Sequence, residues 1–175
     1  KRYFGIDEPL SGKNAKKVWD RCNELLAKDE FSAKQLIIKS NVEVICTTDD
    51  PIDSLEWHDK IAKDSGFDVK VLPAWRPDKA MVVEKPEQYI AYSKKLSAAA
   101  GMEINNYQDL LDALRKRQDF FHEMGCRISD HGLENFYAED FELEEIDKIF
   151  RNTLKGKKPT AEETLKFKSA ILLDF

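Results

Sequence analysis

The chain has 175 residues, 42% of them hydrophobic and 35% charged, with a formal net charge of −5. That balance supports one folded domain with a real core and excludes a disordered or low-complexity protein. The acidic balance speaks against a nucleic-acid surface, and no apolar run is long enough to span a membrane. No signal peptide is visible. The three cysteines, Cys22, Cys46 and Cys126, are odd in number and show no CxxC spacing. They are expected to be reduced, buried as small hydrophobes, and to belong to a cytoplasmic compartment.

Beyond the leader "KRYFGIDEPL", helical spacing of Val18, Trp19, Cys22, Leu25 and Leu26 predicts a first helix. Ser32 is placed to cap a second, "AKQLIIKS". The β-branched run "NVEVICTT" reads as a buried strand that ends at Asp49-Asp50-Pro51. Ser54 then caps "LEWHDKIAKD", a helix closed at Ser65-Gly66. "FDVKVLPAW" is a second strand and "RPDKAM" a loop. Pro86 opens a helix that Gly101 ends, and Asn105 or Asn106 caps a long helix stopped by Gly125. "CRIS" reads as a third strand, followed by helices over "LEEIDKIFRNTLK" and "AEETLKFKSAILLDF".

Strands alternating with helices predict an α/β fold with parallel strands and right-handed crossovers. Three strands cannot close a barrel. They suit an excised portion of a (β/α)8 TIM barrel, and the apolar pattern running to Phe175 adds to the expectation of a piece of a longer protein. Trp19, Trp57 and the Phe120-Phe121 pair are expected to pack helices onto the sheet. The open sheet edges leave self-association into a homo-oligomer open.

Chemistry in parallel α/β folds collects at the carboxyl ends of the strands. The three exits are Asp49-Asp50-Pro51, Trp75-Arg76-Pro77-Asp78 and Asp130-His131-Gly132. Asp49 and Asp50 can bind a ligand, or can cap the next helix through Asx turns. Arg76 can grip a carboxylate bidentately, or can serve as an ion-pair partner of Asp78. His131 is a ligand-facing group or a turn histidine. His58 is expected to be exposed. His122 lacks the second histidine of a zinc-protease helix, since position 126 is a cysteine.

"ICTTDDPIDSLEWH", "VLPAWRPDKAM" and "MGCRISDHGL", in this order, resemble uronate isomerase (glucuronate isomerase), a family of the amidohydrolase superfamily. The leader resembles it too, so the likeness covers essentially the whole chain. The resemblance implies a (β/α)8 barrel that interconverts D-glucuronate with D-fructuronate and D-galacturonate with D-tagaturonate. It implies that residues 1–175 form one segment of that barrel, with a helical insertion at roughly 86–124. It implies a small-molecule hexuronate as partner, with neither nucleic acid nor membrane. It also implies a divalent metal, zinc or manganese, bound by the whole enzyme and not by this segment. The family's His-x-His motif and its last-strand aspartate have no counterpart in the sequence.

By the same resemblance, Arg76 matches the arginine expected on the sugar acid, with Trp75, Asp50 and Asp49 beside it as substrate-binding candidates. His131 matches the mid-barrel histidine near the metal and is both the catalytic and the metal-ligand candidate. Two other readings stand beside this one: a helical interaction module without catalysis, and a metal-dependent hydrolase of the same superfamily. "AWRPD" argues against the hydrolase.

Overall fold

The structure, a computed structural model, describes residues 1–133 and 135–175. It divides into two compact units. Residues 1–45 and 60–71 form the first, and residues 46–59 and 72–175 form the second.

In the first unit, helix α1 (Ala15–Leu26) and helix α2 (Ala33–Lys39) flank a 3-10 turn at Asp29–Phe31. Ser32 caps α2 by accepting from the Gln35 N–H. Phe31 is buried against the Phe4 ring, at a centroid distance of 5.6 Å, with the Lys39 ammonium 4.5 Å above it. Trp19 does not pack inward as its spacing suggests. It is 68% exposed, and Leu25 is the residue of α1 that enters the core.

Strand β1 (Val44–Cys46) pairs with strand β2 (Lys70–Leu72), and helix α3 (Glu56–Ala62) lies between them in sequence. The register is parallel. In the first unit Lys70 N–H donates to Glu43 O, and in the second Thr47 N–H donates to Leu72 O. Both strands are shorter than the β-branched runs that predict them. β1 is not buried: Val44 and Cys46 are exposed, and Cys126 is the cysteine that reaches the core. Trp57 on α3 is likewise exposed. Leu55, rather than Ser54, supplies the carbonyl for the first bonds of α3, from a left-handed backbone (φ 56°).

The second unit holds the main core. "RPDKAM" is not an open loop, because Asp78–Met81 wind into a 3-10 turn that buries Ala80 and Met81. Helix α4 (Pro86–Ala100) starts on Pro86 and stops at Gly101 in the left-handed conformation. Helix α5 (Tyr107–Glu123) is capped by the Asn106 side chain, which accepts from Asp109 N–H. Helix α6 (Leu143–Leu154) and helix α7 (Ala161–Asp174) follow, the latter with a full Thr160–Glu163 capping box. α4 packs on α5 and α6, and α6 on α7. Tyr89, Phe150 and Phe167 meet at ring distances of 6.0 to 6.3 Å in the middle of this bundle. The Tyr89 hydroxyl donates to Ala80 O and so moors the bundle to the turn after Arg76.

The third predicted strand, Cys126–Ser129, is reduced to a single parallel bridge between Ser129 and Trp75. Two hydrogen bonds hold it, Trp75 N–H to Ile128 O and Asp130 N–H to Trp75 O. Ile128 is 48% exposed, so little apolar burial drives a longer ladder there.

Candidate functional site

The bridges Asp49–Trp75 and Trp75–Ser129 set the three strand exits side by side in parallel register. Consecutive backbone groups serve opposite neighbours. Asp49 N–H donates to Ala74 O and Arg76 N–H to Asp49 O, while both backbone groups of Trp75 turn to the third segment. The residues that follow each bridge therefore emerge together.

Arg76 and Asp130 form an ion pair across these exits, from Nη2 to a carboxylate oxygen. The Asp130 carboxylate also accepts from the Thr48 hydroxyl, so one group joins all three exits. Arg76 Nε lies 3.8 Å from Asp78 Oδ2 and, among the described residues, is buried without a hydrogen bond. Asp78 in turn holds the third exit. His131 Nδ1 is 3.1 Å from Asp78 Oδ1, and Gly132 N–H donates to Oδ2 at 2.7 Å. Arg76 thus meets two carboxylates, one of them the Asp78 partner expected from sequence.

Asp49 and Asp50 are drawn into the fold. Asp49 Oδ2 accepts from the Thr47 hydroxyl at 2.6 Å and from Ala74 N–H at 3.2 Å. Asp50 Oδ1 accepts from Ile52 N–H and from the Tyr92 hydroxyl, and Lys79 Nζ approaches Oδ2 at 3.2 Å. Burial first, then the facing Asp50 carboxylate, pushes the Tyr92 phenol well above its usual range, so it stays a donor. Trp75 is 1% exposed, set edge-to-face on Phe121 at 5.1 Å. It reaches the site through its backbone.

His58 is not the exposed histidine its helix suggests. Its side chain is 11% exposed, with Nε2 2.7 Å from the Thr47 hydroxyl and 3.8 Å from Asp49 Oδ1. A sequence signal existed: His58 stands three residues after the buried Leu55, on the same helical face.

Arg117 is the other residue missed. Only 8% exposed, it donates from Nε to Pro51 O, from Nη2 to Asp53 O and from Nη1 to Ala99 O. It fixes the first exit loop against α4. Burial lowers its proton affinity from the ordinary arginine range. It lies on the stripe Leu110, Leu114, Arg117, Phe121, where a charge among apolar residues was visible in the spacing.

Among the described residues, no three His, Cys, Asp or Glu side chains converge as a metal-holding set. Among the described residues, no helix is long and apolar enough to cross a membrane.

The chain matches a family model described as glucuronate isomerase. The family model matches residues 1–175, and the chain belongs to that family. It is 55% identical over 175 residues to the uronate isomerase of Bacteroides thetaiotaomicron, covering 100% of this chain and 37% of that protein. It is 50% identical over 172 residues to the uronate isomerase of Lachnospira eligens, covering 98% and 36%. The crystal structure of the Thermotoga maritima uronate isomerase superposes with a TM-score of 0.87 at 32% identity, over 99% of this chain and 38% of that one. The Caulobacter crescentus glucuronate isomerase gives 0.85 at 30% identity, over 98% and 35%. The chain therefore spans a little over a third of the length of the relatives it matches.

Proposed function

We propose that these residues form one wall of a hexuronate isomerase site, acting within a polypeptide that supplies further strands of a (β/α)8 barrel. The observation that carries this reading is the register of Asp49, Trp75 and Ser129, which gathers Arg76, Asp130 and His131 at one set of carboxyl-terminal exits. Half-exposed Val44 and Ile128 support it, since barrel neighbours would cover both. In this reading α4 and α5 are the helical insertion, at roughly 86–124.

The reaction is aldose–ketose exchange between D-glucuronate and D-fructuronate, or D-galacturonate and D-tagaturonate. A proton leaves C2 and returns at C1 through an enediolate, whose oxygen charge must be stabilised. Arg76 grips the C6 carboxylate and so orients the reacting end. His131 contacts the sugar at the mouth. Asp49, Asp50 and Trp75 shape the site from behind, because their polar atoms or rings are already engaged by the protein. A divalent metal, zinc or manganese, and a cytoplasmic setting complete the proposal. The metal's chemistry would be polarisation of the carbonyl.

In an isomerising polypeptide that contains this chain, Arg76→Met should raise KM for D-glucuronate by about 10-fold or more, the loss of one ion pair to the substrate carboxylate. Unchanged kinetics would remove Arg76 from the site. Residues 1–175 alone, assayed with D-glucuronate and added Zn²⁺ or Mn²⁺, should show no turnover. Robust turnover would overturn the claim that one wall is insufficient.

A further inference from the structure

We infer that the two histidines at the strand exits are held in opposite tautomers, and that Asp78 is the positioning residue that makes His131 the one with a usable lone pair. For its ligand this rests on the hexuronate reading; for its geometry it does not.

The assignment follows from which groups can donate. The Thr47 hydroxyl has one proton and faces two oxygens that only accept, Asp49 Oδ2 at 2.6 Å and Leu72 O at 3.3 Å. Whichever takes that proton, the third partner, His58 Nε2 at 2.7 Å, must donate to the hydroxyl oxygen. His58 is therefore the Nε2–H form. Among the described residues its buried Nδ1 has no hydrogen-bond partner, and a bare nitrogen costs less there than an unsatisfied N–H. The lone pair of His58 is sealed inside the fold, so this residue orders Asp49 and does no proton chemistry at the mouth.

His131 is the mirror case. Its Nδ1 faces the Asp78 carboxylate at 3.1 Å, and a carboxylate accepts. The proton sits on Nδ1, and Nε2 keeps its lone pair. Among the described residues, Nε2 has no hydrogen-bond partner. The second Asp78 oxygen takes Gly132 N–H at 2.7 Å, so one side chain clamps both the ring and the backbone of the turn. A Cβ added at Gly132 would stand 3.3 Å from that oxygen, which shows how closely the turn sits on it. A carboxylate behind an imidazole is a general way to fix its tautomer and ring orientation. The free Nε2 is then positioned to accept from a hydroxyl of the bound sugar.

The test is the ring-nitrogen spectrum of ¹⁵N-labelled chain at about pH 8, above the ordinary imidazole range. The chain has three histidines, so His58→Gln and His122→Gln complete the assignment. His131 should show a protonated Nδ1 and a bare Nε2, and His58 the reverse. Asp78→Asn gives the sharper outcome. Gly132 N–H can only donate, so it claims the amide oxygen. The amide NH₂ then faces His131 Nδ1, and His131 should invert to Nε2–H while His58 stays unchanged. A wild-type His131 in the Nε2–H form, or an Asn variant with unchanged His131, overturns the inference. If the variant does not fold, the unmutated chain still decides. Couplings from His131 Nδ1–H and Gly132 N–H to the Asp78 carboxyl carbon should both appear, and the absence of either sinks the clamp. No sugar enters these measurements, so failure of the hexuronate reading leaves them untouched.

Discussion

At the scale of single residues, two backbone-determined positions control the exits. Among the described residues, no carboxylate accepts a hydrogen bond from Arg117. It answers three carbonyls instead. Arg117→Met removes the guanidinium that lies 4.2 Å over the Phe120 ring and leaves those carbonyls without a donor. It should cost about 3 kcal/mol, the scale of charged hydrogen bonds lost in the interior. Urea unfolding followed by circular dichroism measures this, and a cost below about 1 kcal/mol would show that water replaces the guanidinium. Gly125 sits at φ 94°, and a Cβ there would come 3.0 Å from Leu72 Cδ2. Gly125→Ala should destabilise by about 1–2 kcal/mol for the backbone alone. Adding Leu72→Ala separates the causes: any recovery on the double mutant measures the steric part.

At the scale of elements, helix ends carry most of what the sequence announced. Pro86, Gly101 and Asn106 stand where the start and stop signals place them, and the Thr160–Glu163 box at the start of α7 is a further cap that the structure adds. Thr160→Ala should lower stability by about 1 kcal/mol, read from the urea midpoint. The strands were less legible. β-branched runs mark where a strand can form, but its length depends on neighbours that cover it. "CRIS" has one neighbour and keeps one bridge. Arg117 and His58 were readable only as a charge or an imidazole on an apolar phase. Their partners lie far away in sequence, so spacing could not name them. The opposite holds for the exits themselves, since each ended in a turn former that sequence alone makes visible.

One element junction is pH-sensitive. Asp147 on α6 accepts from Tyr107 N–H at the start of α5 and from Arg151. Its burial works the other way, but the Tyr107 N–H and the Arg151 guanidinium outweigh it and hold the carboxyl below its usual range. A carboxyl depressed by folding contributes stability that is present above its unfolded-state value and lost as pH falls through the folded one. Asp147→Asn should therefore flatten the acid limb of the stability profile and leave a smaller difference from wild type at low pH than at neutrality. Parallel curves across the acid range would rule Asp147 out as a contributor.

For the whole molecule, burial is uneven between the two units. Leu25, Phe31 and Val69 are the buried apolar residues of the first, whereas the second holds a large continuous cluster, among the described residues. Amides of α1 and α2 should exchange with solvent faster than those of α4 to α7 under native conditions. Equal protection in hydrogen-exchange mass spectrometry would mean that the first unit opens only with the second.

The central segment behaves as a phase reference. Residues 74 and 76 answer one neighbour and residue 75 the other. A slip of one position would exchange those allegiances and turn every side chain about its axis. Trp75 would then leave the interior and Arg76 would enter it. That exchange is forbidding on both counts, since a large indole is wetted and a guanidinium is stripped of water. The aim of the arginine is thus guaranteed by a ring on the far side of the backbone. Deleting Ala74 would misdirect it while leaving the arginine itself in the chain.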